Sequence, residues 1–429
     1  MKRTKRGYAV FTLYAMTAIA LPAQTFTTLL SFDGSDGAIP RAGLVQGTNG
    51  DFYGTTSEGG ANVTGTVFRI TPSGTLATLY SFCVHVTPCT DGSAPYAGLV
   101  QATDGDFYGT TRSGGTNGRY YGTIFKITPS GTLTTLYSFC SQSACTDGQQ
   151  PDAGLIQATN GDFYGTTSGG GANGPYGTVF KITPSGTLTT LHSFCSQGSS
   201  PTCLDGVSPS AGLVQATNGD FYGTTIGGGP GSAGTIFKMT PTGTLTTLYS
   251  FCSRGGQCAD GAAPYAGLVQ ATNGDFYGTT QGGGANGRPY GTIFKITPSG
   301  TLTTLYSFSG VYGGNPSAGL LQATNGDFYG TTSKDGANLD GTVFSLSVGL
   351  GPFVKTLPTS GQVGAAVGIL GTDLTAATSV SFNGTAATFT VVGPSLIVAT
   401  VPAGATSGRV QVGLPGGTLV SNEPFQVLP

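Results

Sequence analysis

An all-β fold built from tandem blades is predicted by three features of the sequence. The segment "ATNGDFYGTT" and its close variants occur six times, with aspartates at Asp51, Asp106, Asp162, Asp220, Asp275 and Asp327, a period of 52 to 58 residues. Glycine reaches 74 of 429 residues and charged residues only 8%, a composition of turns and short strands. Apolar residues at 38% and aromatics at 10% still supply a packed core, and no stretch sustains a 3.6-residue apolar period.

The chain opens on "MKRTKR", followed by the apolar run "GYAVFTLYAMTAIALPA" ending in small residues. That is the layout of a secretory signal peptide over residues 1–23, and the run is too short and poorly flanked to span a membrane. Cleavage is expected after Ala20 or Ala23. Loss of four cations, Lys2, Arg3, Lys5 and Arg6, takes the formal net charge from −2 to −6. A mildly acidic surface offers no electrostatic footprint for nucleic acid or anionic lipid. A secreted, periplasmic or cell-surface protein with no transmembrane segment after cleavage is expected.

One full unit reads "AGLIQATNGDFYGTTSGGGANGPYGTVFKITPSGTLTTLHSFC" from residue 153. "AGLIQA" and "DFYGTT" flank Asn160-Gly161, the strongest short-range hairpin signal, because both central turn residues must reach positive φ. "GTVFKIT" is rich in β-branched and aromatic residues. "PSG" then turns tightly into "TLTTLHSF". Four antiparallel strands per unit make a propeller blade.

The array is offset at its ends. Residues 25–32, "TFTTLLSF", match a fourth strand, whereas the sixth unit stops after "GTVFSLS". A closed six-bladed β-propeller over residues 24–350, completed by the N-terminal strand, is therefore expected; an open solenoid would need caps instead. Closure puts "AGLVQA" innermost. The "NG" and "PSG" turns then share one face, and the Gly-rich and cysteine loops the other, where long variable loops meet ligands. The period breaks near Gly349–Pro352. Residues 351–429 read as a small Ig-like β-sandwich of short alternating strands.

The eight cysteines form four close pairs after "SF": Cys83/Cys89, Cys140/Cys145, Cys195/Cys203 and Cys252/Cys258. In an oxidising compartment these read as local structural disulfides. Metal ligation fits less well, because the spacings vary and no histidine accompanies them consistently.

The repeats resemble the bacterial GloVer-type tandem repeats of "choice-of-anchor" proteins, through "GDFYGTT", "GTVFKITPSGTLTTLYSF" and "DG..P.AGLVQATNG". The resemblance implies a secreted or surface protein and brings no catalytic residues with it. The C-terminal segments "PTSGQVGAAVGILGTDL", "VSFNGTAATF" and "IVATVPAGATSGRVQV" resemble an IPT/TIG domain, which implies a spacer or interaction module.

Chemistry-bearing residues are sparse. Of two histidines, His85 lies in a cysteine loop and His192 replaces the tyrosine of "LYSF", with no evident acidic partner for either. Nucleophile elbows, zinc signatures and phosphate loops are absent, so no catalytic residue, metal or cofactor is assigned. Aspartates ahead of proline (Asp36, Asp91, Asp147, Asp205 and Asp260) could ring a cation, but Asp-Gly-x-x-Pro is turn chemistry and a capping role is expected. The candidate ligand-binding set is Tyr121, Tyr176 and Tyr290 at the ends of the Gly-rich loops, with Arg119, Tyr120 and Arg288 beside them. Aromatic faces among polar loops suit sugar rings; the plainer reading is that these tyrosines seal the gaps between blades as the strand begins. The expectation is a monomeric, non-catalytic binding or structural protein recognising carbohydrate or another extracellular ligand. The alternative is a polysaccharide-acting hydrolase or lyase, whose acids would come from Glu58, Asp335 and Asp340 if closure made the first and sixth blades neighbours.

Overall fold

Each "DFYGTT" pairs backward across its Asn-Gly turn and forward with "GTVFKIT", and the pattern builds a succession of antiparallel sheets. The computed structural model describes residues 28–84, 89–253, 256, 258–286, 290–337 and 339–428. The signal-peptide segment, His85 and Arg288 lie outside them.

Blade 1 comprises β1 (Val45–Gln46), β2 (Phe52–Thr56), β3 (Thr66–Ile70) and β4 (Leu76–Ser81). Blade 2 comprises β5 (Val100–Gln101), β6 (Phe107–Thr111), β7 (Thr123–Ile127) and β8 (Leu133–Ser138). Blade 3 comprises β9 (Ile156–Gln157), β10 (Phe163–Thr167), β11 (Thr178–Ile182) and β12 (Leu188–Ser193). Blade 4 comprises β13 (Val214–Gln215), β14 (Phe221–Thr225), β15 (Thr235–Met239) and β16 (Leu245–Ser250). Blade 5 comprises β17 (Val269–Gln270), β18 (Phe276–Thr280), β19 (Thr292–Ile296) and β20 (Leu302–Ser307). Blade 6 has three strands, β21 (Leu321–Gln322), β22 (Phe328–Thr332) and β23 (Thr342–Leu346). Within each blade the strands lie in chain order, all antiparallel. The architecture is all-β and propeller-like.

Two choices in the strand sequence follow from packing. The glycine of "FYGTT" is required because the phenylalanine of the next strand lies across it: a Cβ on Gly165 would meet Phe180 Cζ at 2.6 Å. The paired threonines bond across the same strands, as Thr167 to Thr178 at 2.8 Å, which satisfies hydroxyls buried in the core.

Neighbouring blades meet through one repeated joint. The tyrosine of each "DFYGTT" stacks on the phenylalanine of the next. Tyr53–Phe107, Tyr108–Phe163, Tyr164–Phe221, Tyr222–Phe276 and Tyr277–Phe328 have ring centroids 4.0, 4.0, 4.1, 4.0 and 4.2 Å apart. Near the inner strands a backbone amide takes the next blade's glutamine, as Thr159 N to Gln215 Oε1 at 3.1 Å. A threonine hydroxyl donates to the next blade's alanine carbonyl, as Thr166 Oγ1 to Ala211 O at 3.1 Å. Further out, the phenylalanine after the fourth strand meets the next blade edge-on, as Phe194–Phe237 at 5.3 Å.

The expected closure is half realised. Residues 28–32 sit against blade 1 where the outer strand of a preceding blade would lie. Leu29 O would stand 2.8 Å from a Cβ at Gly74, as Leu79 O does at Gly131, and Phe32 meets Phe68 edge-on at 5.1 Å. That segment does not pair with β23, which has no fourth strand among the described residues. Nor do blades 6 and 1 make the joint. Val343 is 80% exposed where its counterpart Val179 is 0%, and Tyr329 is 37% exposed where Tyr164 is 1%. A Cβ on Gly43 would have nothing within 4 Å, whereas one on the equivalent Gly98 would lie 3.2 Å from Gly43 O. The described residues thus form six blades with five joints.

The C-terminal residues build two facing sheets. One has the order β24 (Lys355–Leu357), β26 (Ala366–Leu370), β30 (Leu396–Thr400), β29 (Phe389–Gly393). The other has the order β25 (Ser360–Gln362), β32 (Gly417–Leu428), β31 (Gly408–Leu414), β27 (Ser379–Phe382), β28 (Thr385–Ala386). Val367, Ile369, Ile397, Val410, Val412 and Phe425 fill the space between them. This sandwich is bonded to blade 6: Phe353 N donates to Thr324 O at 2.9 Å and Lys355 Nζ to Gln322 O at 2.8 Å.

Candidate functional site at the inner rim

The Gly-rich and cysteine loops share one face, as the strand alternation requires. Gly115 N donates to Cys89 O at 2.7 Å, and Gly171 N to Cys145 O at 2.9 Å. The four expected disulfides are formed: Cys83–Cys89, Cys140–Cys145, Cys195–Cys203 and Cys252–Cys258.

The aspartates ahead of proline are spent inside these loops. The carboxylate of Asp147 accepts from Tyr137 Oη at 2.7 Å and Ser141 N at 2.9 Å, and that of Asp260 from Tyr249 Oη at 2.8 Å and Cys252 N at 3.0 Å. Burial, with the Asp147 carboxylate beside it, pushes the Tyr137 phenol up to about 12. Asp36 is also local, accepting from Asp33 N at 3.0 Å. Their role is to cap their own loops, which from Asp91 to Asp260 are also closed by a disulfide.

His192 does have an acidic partner, contrary to the sequence reading. Its Nε2 lies 3.0 Å from Asp205 Oδ2, in the place of the tyrosine hydroxyl of other blades, and its ring meets Phe194 edge-on. Burial alone would raise the Asp205 pKa, but hydrogen bonds from His192 and Ser196 outweigh it and hold the carboxyl below its ordinary value. The pair is structural.

Of the candidate ligand-binding residues, Tyr121, Tyr176 and Tyr290 are half-buried, each packed against the apolar core of its blades. Their carbonyls accept from Gln150 N, Ser208 N and Asn315 N of the following blade at 2.7, 2.7 and 2.8 Å. They seal joints. Tyr120 is the exposed aromatic of the set, at 60%, with the Arg119 guanidinium 4.9 Å from its ring centroid. Glu58 is not brought to Asp335 and Asp340, because the joint between their blades is not made.

The structure gathers a different set at the inner rim of the same face. The residue between the proline and "AGL" lies four residues ahead of the inner strand, and the residue after "FYGTT" directly follows the second strand. The first position reads Arg41, Tyr96, Asp152, Ser210, Tyr265 and Ser317; the second reads Ser57, Arg112, Ser168, Ile226, Gln281 and Ser333. Across blades 1 to 3 they form a connected line. Arg41 Nε donates to Ser57 Oγ at 3.2 Å, and both Arg41 and Arg112 guanidinium groups lie over the Tyr96 ring, 4.6 and 5.0 Å from its centroid. Arg112 Nε faces Asp152 Oδ1 at 3.1 Å, and Ser168 Oγ donates to Asp152 Oδ2 at 2.8 Å. Burial raises the Asp152 pKa above its ordinary value, against the opposing pull of Ser168 and Arg112. Arg41 has no ion pair among the described residues.

The rim is held by an unusual backbone. The residue before each proline has positive φ, 53° at Ala94 and 57° at Gln150. That conformation lets Ala94 N reach Thr64 O of the preceding blade at 2.8 Å while Ala94 O accepts from Arg112 N at 3.0 Å. The rim side chains therefore start from a fixed frame. The signal was present in the sequence: four residue types occupy each position across the six units, while their neighbours hardly change.

Comparison with known proteins adds the following. The Gloeobacter/Verrucomicrobia repeat matches residues 8–204 and 199–392. No curated protein matches the chain. Among solved structures, a gluconolactonase from Xanthomonas campestris is 13% identical, with 73% of this chain and 88% of that chain covered at a TM-score of 0.41. An auxiliary nutrient binding protein from Bacteroides thetaiotaomicron is 14% identical, with 73% and 70% covered at a TM-score of 0.42. What those proteins bind or turn over is a property of theirs, and likeness at this level assigns no ligand here.

Proposed function

We propose that this chain, which belongs to the Gloeobacter/Verrucomicrobia repeat family, is an exported, non-catalytic binding protein that meets its ligand at the inner rim of its loop-rich face. The observation that carries this reading is the line Arg41–Tyr96–Arg112–Asp152, placed where an otherwise uniform repeat diverges. Uniform positions serve the blades; the divergent ones are free to serve a ligand. Arg112 is neutralised by Asp152, so Arg41 supplies the unpaired charge and the serine hydroxyls supply hydrogen bonds. A hydroxyl-rich ligand bearing carboxylate groups, such as an acidic polysaccharide, fits that chemistry. Tyr120, exposed on the neighbouring loop, offers a face for a sugar ring.

Four disulfides support export to an oxidising compartment. The C-terminal sandwich, residues 351–429, acts as a TIG-type spacer that holds the blades away from whatever carries them.

The test is a pull-down and glycan array with uronate-containing and neutral polysaccharides, using wild type, Arg41→Ala, Tyr96→Ala, and Lys238→Ala as a control on a distant lysine–aspartate pair. Retention of an acidic polysaccharide by wild type and Lys238→Ala, lost in the two rim variants, is expected. Equal binding by all four would remove the rim from the site, and binding by none would remove the carbohydrate reading.

A further inference from the structure

The open faces of blades 6 and 1 are the two halves of a joint that the chain already makes five times. Blade 6 presents Tyr329, Val343 and the unpaired edge of β23. Blade 1 presents Phe52, Gly43 and, already seated in the outer-strand position, residues 28–32. Each group has its counterpart in every internal joint: Tyr329 corresponds to Tyr164, Phe52 to Phe221, and residues 28–32 to the fourth strand of a completed blade.

The five internal joints are nearly identical. Their stacked rings are inclined at 26° or 27° throughout, and their centroids differ by no more than 0.2 Å. A fixed rotation at every joint leaves the two ends apart in one chain. A second molecule can dock on either end with the rotation unchanged.

We infer that the open ends bind a second copy of this chain, head to tail, rather than leaving the protein monomeric. Residues 28–32 of the next copy complete blade 6 as its fourth strand, while Phe52 of that copy stacks on Tyr329 and covers Val343. The contact joins two different faces, so it propagates until the rotation closes a ring of copies. It also removes the exposed edge strand, which otherwise invites unspecific pairing.

The experiment measures the molar mass of the full mature chain in solution over a range of concentrations. It uses two variants, each disabling one face. Val343→Asp puts a charge on the blade 6 face, at a site exposed in the single chain. Gly43→Trp adds bulk to the blade 1 face, where nothing lies within 4 Å. Wild type is expected to exceed the monomer mass as concentration rises. Each variant alone is expected to remain monomeric, and an equimolar mixture of the two to form a dimer of twice the monomer mass, because one intact face remains on each. A wild type that is monomeric at every concentration would overturn the inference, and so would a mixture that gives no dimer.

Discussion

Replacing Tyr329 and Tyr164 by alanine applies one substitution at equivalent places in two repeats whose surroundings differ. Tyr164 is 1% exposed and stacks on Phe221 at 4.1 Å, whereas Tyr329 is 37% exposed and has no stacked partner among the described residues. Their hydroxyls accept equivalent bonds from Asn160 Nδ2 at 3.2 Å and Asn325 Nδ2 at 3.3 Å, so that contribution cancels. Truncating a fully buried aromatic costs about 3–5 kcal/mol. At Tyr329 roughly a third of the burial, worth about 1 kcal/mol, is already missing, and so is a stacked pair worth about 1 kcal/mol. Tyr329→Ala should therefore destabilise less than Tyr164→Ala by about 2 kcal/mol on these scales. Urea unfolding followed by circular dichroism and tyrosine fluorescence measures the difference, since the chain has no tryptophan. The comparison is made at a concentration where the chain is monomeric. Equal losses at the two sites would mean that blade 6 is packed like blade 3, and would refute the open joint.

Three other outcomes are expected. Asp205 has a folded pKa below its unfolded value, so its contribution is present above the ordinary carboxylate range and fades as pH falls below about 5; Asp205→Asn should flatten the acid side of a melting-temperature profile, and an unchanged profile would count against the His192–Asp205 account. Ala94 holds positive φ, which costs a non-glycine residue about 1–2 kcal/mol, so after the added unfolded-state freedom Ala94→Gly should stabilise by about 0.5 kcal/mol in urea unfolding. The double change Cys140→Ser with Cys145→Ser opens a short loop and should cost about 2 kcal/mol on the chain-entropy scale, read by calorimetry.

Much of the fold was legible because each unit carries its own turn chemistry. Asn160-Gly161 placed the hairpin between β9 and β10, although only Gly161 takes positive φ there, 87°, after a turn closed by Gly161 N to Ala158 O at 2.9 Å; "PSG" placed that between β11 and β12. The disulfides were legible from the close pairing of cysteines after each "SF" together with the export signal. The inner strand proved shorter than "AGLIQA" suggests, since only Ile156–Gln157 pair and the preceding glycine serves instead as a point of close approach between blades. The open joint was not legible, because the offset of the first and last units matches closure within one chain and pairing between chains equally well. The partner of His192 was missed because it lies 13 residues downstream, at the Asp-Gly of its own loop. Aligning Tyr80 with Asp91 across the units would have exposed the relation. The rim was not legible from loop length, because it is made of single variable residues set between constant ones.

Amide hydrogen exchange of β23 against β19, at a concentration where the chain sediments as a monomer, tests the account most directly. Residues Thr292–Ile296 are bonded on both sides, by β18 and β20, whereas Thr342–Leu346 are bonded by β22 alone. Slow exchange along β19 and fast exchange at alternate amides of β23 are expected, with protection appearing there as concentration is raised. Protection of β23 equal to that of β19 in the monomer would show that the sixth joint closes within one chain, and would contradict the account.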